Sequence, residues 1–249
     1  MKFQVALTLF AACLSLLTSR AGATDKLAMQ LLEASDRARG AVKGGLTWHS
    51  KVTTNEDGAN SEREFIIKAK GNDAYVEATQ PARTKGEVFI FNDRNMWFFK
   101  PSLKRPVSIS PRQKLSGQAA NGDIASTRYS RDYEPTIEKT EVLNGEKTHV
   151  LLLKAKANNL TYDQIRYWVS DTKQLAMKAE FLTLQGQAFK VATMVYGNSL
   201  KTGANTTPFI SKLTITDARF SKNQSIIEYS ALKIEDHPAS LFSVGNLAR

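Results

Sequence analysis

Residues 61–70 read SEREFIIKAK, and this alternation constrains the fold more than any other feature of the chain. Arg63, Phe65, Ile67 and Ala69 share one register, while Glu62, Glu64, Ile66, Lys68 and Lys70 share the other. Successive strand side chains point to opposite faces, so such a segment makes a strand with one apolar and one wet side. The same period returns in Asp163–Val169 (Ile165, Tyr167, Val169), Ala176–Leu182 (Met177, Ala179, Phe181) and Ala188–Tyr196 (Phe189, Val191, Thr193, Val195). It continues through Ile210–Thr216 and Ser225–Lys233. Between the segments lie tight-turn residues: Glu56-Asp57-Gly58, Lys70-Gly71-Asn72-Asp73, Asn92-Asp93-Arg94-Asn95, Asn144-Gly145 and Gln185-Gly186. Strands this close in sequence pair as antiparallel hairpins and leave no room for βαβ crossovers. Roughly ten strands of this kind make a sheet that curls toward a barrel. The expected architecture is mainly β with few helices: an antiparallel sheet, one face apolar and one wet, that curls or closes toward a barrel.

One helix is predicted, over Asp25–Arg39. Leu27, Leu31, Ala34 and Ala38 form a single stripe, and Gly40 ends it. Packed on the sheet, it covers part of the apolar face. Residues 106–135 are the least regular stretch, and loops of that length are usually functional or mobile. Just before them, MWFFKPSLKRPVSIS (96–110) sets four large apolar side chains beside Lys100, Lys104 and Arg105. Pro101 ends the strand there because it has no N–H to give a ladder. Trp97 and Phe99 share one face and Met96 and Phe98 the other; the sequence leaves open which pair lines the cavity.

The N-terminus decides the compartment. One Lys, an apolar run from Phe3 to Leu17 and then Ala21-Gly22-Ala23 fit a cleavable export signal. The run of about 15 residues falls short of the ~20 that span a bilayer. A lipid-modified Cys13 and a membrane anchor are the other readings. Cleavage after Ala23 gives a leader at 1–23 and a single domain at 24–249, with no cysteine left because Cys13 is the only one. Such a chain suits a bacterial periplasm and has no disulfide, thiolate metal site or Cys nucleophile. Loss of Lys2 and Arg20 lowers the net charge from +10 to +8, still a balance that favours anionic surfaces. Nucleic acid is excluded as a partner by the compartment.

No catalytic constellation emerges. His49, His149 and His237 are far apart, and no nucleophile elbow, zinc-protease motif, phosphate loop or dinucleotide fingerprint occurs. Asp132, Glu134 and Glu138 lie close in sequence, but a solvated loop accounts for them. The chain reads as no enzyme, with no cofactor and no metal. What it has is aromatic bulk beside basic residues. Candidates for an apolar acyl-chain cavity are Phe65, Ile67, Phe89, Phe91, Trp97, Phe99, Tyr167, Met177, Phe181 and Val191. Candidates for its cationic rim are Lys100, Lys104, Arg105 and Arg112.

A series of landmarks then carries a family likeness. These are Asp36-Arg37 with Gly40; Pro81-Ala82-Arg83-x-Lys85-Gly86; Met96-Trp97; Pro101-Ser102-Leu103-Lys104-Arg105; and Ile109-Ser110 with Gln113 and Ser116-Gly117. Later come Tyr162-Asp163-Gln164-Ile165-Arg166-x-Trp168-Val169, Leu175–Phe181 and Leu241-Phe242…Leu247. Through nearly its whole mature length the chain resembles the periplasmic outer-membrane lipoprotein-sorting proteins, LolA-like branch. The resemblance implies an incomplete antiparallel barrel covered by helices, acyl-chain binding and no chemistry. Where relatives have an acidic-aromatic stretch after Ser-Gly, this chain has NGDIASTRYSRDYE. The expected function is therefore a non-enzymatic, monomeric periplasmic carrier for the acyl chains of a lipid or lipoprotein. Its partners would be an inner-membrane transporter or an outer-membrane acceptor. The other reading is an interaction module that docks an envelope transporter or anionic membrane through its basic loop.

Overall fold

The computed structural model describes residues 24–126, 128–203 and 205–247. The leader at 1–23, the cleavage site after Ala23 and Cys13 lie outside the described residues. Helix α1 (24–37) comes first. Six strands follow: β1 (Gly45–Glu56), β2 (Ala59–Lys70), β3 (Asp73–Gln80), β4 (Val88–Asn92), β5 (Asn95–Phe99) and β6 (Val107–Ile109). A small hairpin, β7 (Lys114–Ser116) and β8 (Ala119–Ala120), leads through a 3₁₀ turn to the single-turn helix α2 (Tyr129–Asp132). Then come β9 (Tyr133–Leu143), β10 (Glu146–Ala155), β11 (Gln164–Ser170), β12 (Ala176–Leu182) and β13 (Ala188–Val195). The hairpin β14 (Asn198–Thr202) and β15 (Asn205–Phe209) precedes β16 (Lys212–Asp217) and β17 (Gln224–Ile234).

Thirteen of these strands form one sheet in the order β6-β5-β4-β3-β2-β1-β17-β16-β13-β12-β11-β10-β9. Every pairing in it is antiparallel, and β6 and β9 remain as edges, so the barrel is incomplete. The turns form where the sequence places them. Asp57-Gly58 and Asn144-Gly145 have positive φ at both positions, which matches the twist of two-residue hairpins.

The inner face of the sheet carries Trp48 and Val52 (β1), Phe65 and Ile67 (β2), Val76 (β3), Leu151 and Leu153 (β10) and Ile227 (β17), all at most 1% exposed. The outer face of β9–β12 is a charged lattice. Arg166 bridges Glu138 (2.7 Å) and Glu180 (3.0 Å), and Lys178 reaches Glu180 (2.7 Å) while lying over Trp168. This is the one wet side that the alternation predicted.

Two elements cover the inner face. One is α1, whose burial differs from the predicted stripe: Leu31, Ala34 and Ala38 are buried, but Leu27 is 39% exposed. The buried face instead includes Ala28, Leu32, Ser35, Asp36 and Arg39, because the three polar side chains find partners beneath the helix. The other is the chain from Ser110 to Asp132, which runs from edge strand β6 to edge strand β9 as a strap. Its central residues 118–125 are all buried, against the usual rule that irregular chain stays on the surface.

Candidate functional site

The strand register sorts the predicted cavity residues. Phe89 pairs with Val76 and Phe98, and Phe91 with Ala74 and Met96, so all six share the inner face with Phe65 and Ile67. Phe65 meets Phe89 edge-on at 6.4 Å, and Phe89 meets Phe98 at 5.0 Å. Tyr167 lies between Leu151 and Ala179, and Phe181 beside Ile165, on the same face.

Four candidates fall elsewhere. Trp97 pairs with Ile90 and Phe99 with Val88, which puts both on the outer face and leaves Met96 and Phe98 as the inner pair. On that outer side the C-terminal 3₁₀ turn Ala239–Phe242 packs against β3 and β4. Val191 pairs with Glu180 and is also outward, because Ala192 opposite Ala179 sets the inner register of β13. Met177 sits in a bulge: Ala176 pairs with Val169 and Lys178 with Trp168, so Met177 has no place in the alternation.

The rim candidates separate as well. Lys100, Lys104 and Arg105 cluster beyond the Phe99 end of β5 and make no ion pair among the described residues. Arg112 lies past the other end of that strand and holds Asp163 with two bonds, 2.6 and 2.9 Å, plus the Asn158 carbonyl at 3.1 Å. It therefore ties the strap to the β10–β11 connection. Nearby, Arg94–Asp132 (2.9 Å) and Arg131–Asp93 (2.8 Å) join the β4–β5 turn to α2, across the gap between the sheet edges. Asp132, in α2, and Glu138, in β9, are thus committed to ion pairs on regular elements and do not lie in the solvated loop expected of them.

Beneath the strap, polar side chains from the sheet and α1 take up its backbone groups. Arg63 donates to the Leu115 carbonyl (3.3 Å), Ser225 Oγ to Ser116 (3.0 Å), Lys190 to Gln118 (2.6 Å) and Arg39 to Ser126 (3.2 Å). Ser225 also accepts the Gln118 amide at 2.8 Å. Asp36 accepts the amides of Tyr129 (3.0 Å) and Ser130 (2.8 Å), and the Arg39 guanidinium lies 4.1 Å from the centre of the Tyr129 ring. These bonds explain how an irregular segment is buried: its backbone groups are satisfied by side chains instead of a ladder. Burial pushes the Asp36 carboxyl up to about 6 and holds the Lys190 ammonium below its usual range. Asp123, also buried, accepts the Tyr162 hydroxyl at 2.8 Å and the Ala120 amide at 2.8 Å.

The sequence reading named none of Asp36, Arg39, Arg63, Asp123, Lys190 and Ser225 as a site residue; Arg63, Lys190 and Ser225 lie on the inner face, Asp36 and Arg39 at the end of α1, and Asp123 in the strap. For Arg63 the signal was present, since it heads the Phe65 register. For Lys190 it was not, because both faces of β13 have similar apolar content.

Among the described residues no three His, Cys, Asp or Glu side chains are grouped to hold a metal ion, and no helix is long and apolar enough to cross a membrane. His149 pairs with Asp171 at 2.6 Å, and His237 lies 3.1 Å from the Thr47 hydroxyl. Space remains at the margins of the strap. A cleft of about 510 Å³ lies between the end of α1, Arg128 and the β14–β15 hairpin. Another of about 460 Å³ lies between the strap, Tyr162, Phe189 and Lys190.

A family model described as "-like: Uncharacterized protein" matches residues 70–249. The chain is similar to a LolA superfamily protein from Nitrosomonas europaea at 29% identity and TM-score 0.78, covering 87% of this chain and 97% of that one. A domain described as outer membrane lipoprotein-sorting from Vibrio parahaemolyticus gives 19% identity, coverage of 90% and 100%, and TM-score 0.74. A DUF1329 family protein from Desulfovibrio piger gives 17%, 90% and 99%, and 0.73. The latter two, at low identity, share the fold. No curated protein matches. With an open antiparallel barrel and a helix and strap over its inner face, the chain has a LolA-like fold and belongs to the family whose model matches residues 70–249.

Proposed function

We propose that the protein is a non-enzymatic periplasmic carrier that shields the acyl chains of a lipid or lipoprotein between its sheet, α1 and strap. The form described here is the closed one, with the strap in place of cargo. The observation that carries this reading is the mismatch between the inner face and its cover. The face is lined by large apolar side chains, whereas the strap offers mostly Gly117, Ala119, Ala120, Gly122 and Ala125, with Leu115, Ile124 and Tyr129 as its bulky members. Its polar clips contribute roughly 1–3 kcal/mol each. Burying a sixteen-carbon chain gains about 12 kcal/mol at ~0.8 kcal/mol per CH₂, enough to replace a cover of that kind. The LolA superfamily structure from Nitrosomonas supports the same reading by fold and sequence.

Native mass spectrometry of protein purified from a Gram-negative host should show lipid-sized adducts, and a fluorescent fatty acyl probe should be taken up. Phe98→Asp should abolish uptake, while Trp97→Asp, on the outer face, should leave it unchanged. Absence of both adduct and uptake would sink the carrier reading. A second reading rests on Lys100, Lys104 and Arg105, three clustered cations without ion pairs among the described residues: this loop docks an envelope transporter or an anionic membrane surface.

A further inference from the structure

Lys190 is the odd residue of the inner face. Its strand neighbours there are Phe181, 2% exposed, and Asp217. Its ammonium lies 6.0 Å from the Tyr162 ring centre and 5.9 Å from that of Phe189. Its hydrogen bond goes to a neutral acceptor, the Gln118 carbonyl of the strap, at 2.6 Å. It forms no ion pair among the described residues. Asp123, Asp217 and Glu56 act on it through space only, and the first two have hydrogen bonds elsewhere: Asp123 with Tyr162 and the Ala120 amide, Asp217 with the amides of Arg219 and Phe220 at 2.8 and 2.9 Å. A lysine partly removed from water is better matched by an anion than by a peptide carbonyl, because an opposite full charge adds Coulombic attraction that a neutral acceptor lacks.

The surroundings give that anion a shape. Lys190 stands in the cleft of about 460 Å³, whose mouth carries two exposed apolar side chains, Leu184 (69%) and Phe189 (38%). Inward from it, Phe181 stacks on Tyr162 at 3.8 Å and leads to the aromatic inner face. A charged end at Lys190 and a greasy path beyond it fit one molecule with both parts. The strap carbonyl that now satisfies Lys190 belongs to the same segment that acyl chains would displace. Opening the strap thus removes the neutral partner of Lys190 at the moment cargo enters.

We propose that the cargo is an anionic acyl lipid whose carboxylate or phosphate pairs with Lys190 in place of the Gln118 carbonyl. This rests on the carrier reading and adds the chemistry of the headgroup. A neutral-headed amphiphile would open the strap and offer the ammonium no opposite charge, so the site selects for charge as well as for chain.

The test compares a fluorescent conjugated fatty acid with its methyl ester, titrated into the full protein and into Lys190→Met, Lys190→Gln and Lys190→Arg. Wild type should bind the acid at least tenfold more tightly than the ester. Lys190→Met should lose that preference, so that acid and ester bind alike, and Lys190→Arg should keep it. Lys190→Gln serves as the neutral variant if the Met variant fails to hold even the ester. Chain-matched phosphatidylglycerol and diacylglycerol distinguish the sources: tenfold discrimination lost in Lys190→Met marks a phosphate head, whereas discrimination confined to the fatty acid marks a free carboxylate. Equal binding of acid and ester by wild type, or a preference that survives in both neutral variants, overturns the headgroup site while leaving the carrier reading intact. If neither acid nor ester binds wild type, the carrier reading falls first and this inference falls with it.

Discussion

Asp36 offers a measurement that isolates the junction of α1 and the strap. The carboxylate is 1% exposed, with the Tyr129 and Ser130 amides as its donors. Arg39 lies just past the end of its own helix, and Arg128 and Tyr129 approach from the strap. Burial outweighs these favourable partners and raises its pKa to about 6. The unfolded value is near 3.9, so the folded state prefers the protonated acid. The stability contributed by that preference is complete below about pH 4 and is lost as pH rises through about 6. Integrated between pH 4.5 and 7.5, the loss is about 2 kcal/mol. Asp36→Asn cannot titrate, and its carboxamide oxygen keeps one of the two amide acceptors. The variant should therefore gain about 2 kcal/mol on wild type between those pH values, on top of a pH-independent offset from the lost acceptor. Denaturant unfolding followed by the fluorescence of Trp48, Trp97 and Trp168 at the two pH values measures this directly. The two proteins share all other titrating groups, so those cancel in the difference. Parallel pH profiles, or a gap that widens in favour of wild type at pH 7.5, would refute the claim that Asp36 is held buried against its charge.

Gly117 has φ of +52°, and a Cβ there would lie 2.6 Å from Ser225 Oγ and 2.9 Å from Thr54 Cβ. Gly117→Ala should therefore loosen the strap at its Ser225 clip, costing roughly 1–3 kcal/mol. Faster amide exchange confined to residues 114–126, with the sheet unchanged, is the expected signature. Lys104→Glu/Arg105→Glu should reduce binding to anionic vesicles by about 1 kcal/mol per charge removed, an effect that fades as salt rises. Acyl-probe uptake by the same variant should stay at the wild-type level, since the cluster lies beyond the end of β5 and outside the inner face.

How much was legible depended on how local the cause was. The Asp57-Gly58 and Asn144-Gly145 turns were readable because a positive-φ pair needs only those residues. Phe65, Ile67 and Phe181 were readable because their strands contrast sharply in polarity. Val191 was assigned to the wrong face because β13 is apolar on both sides. Met177 was misplaced because a bulge shifts the count by one, and no composition marks a bulge. Trp97 and Met96 are equally apolar, so only pairing with Ile90 and Phe91 divides them.

The sequence by itself determined an antiparallel, one-sided, curling sheet with a short helix at its start, since those follow from a period of two and from turn chemistry within a few residues. Only the tertiary structure decided that residues 110–132 return across the inner face. Their burial depends on Arg39, Arg63, Lys190 and Ser225, which lie between 52 and 109 positions away along the chain for the bonds in question. A backbone carbonyl has no sequence signature, so the side chain that waits for it is visible only once the sheet has brought the two together.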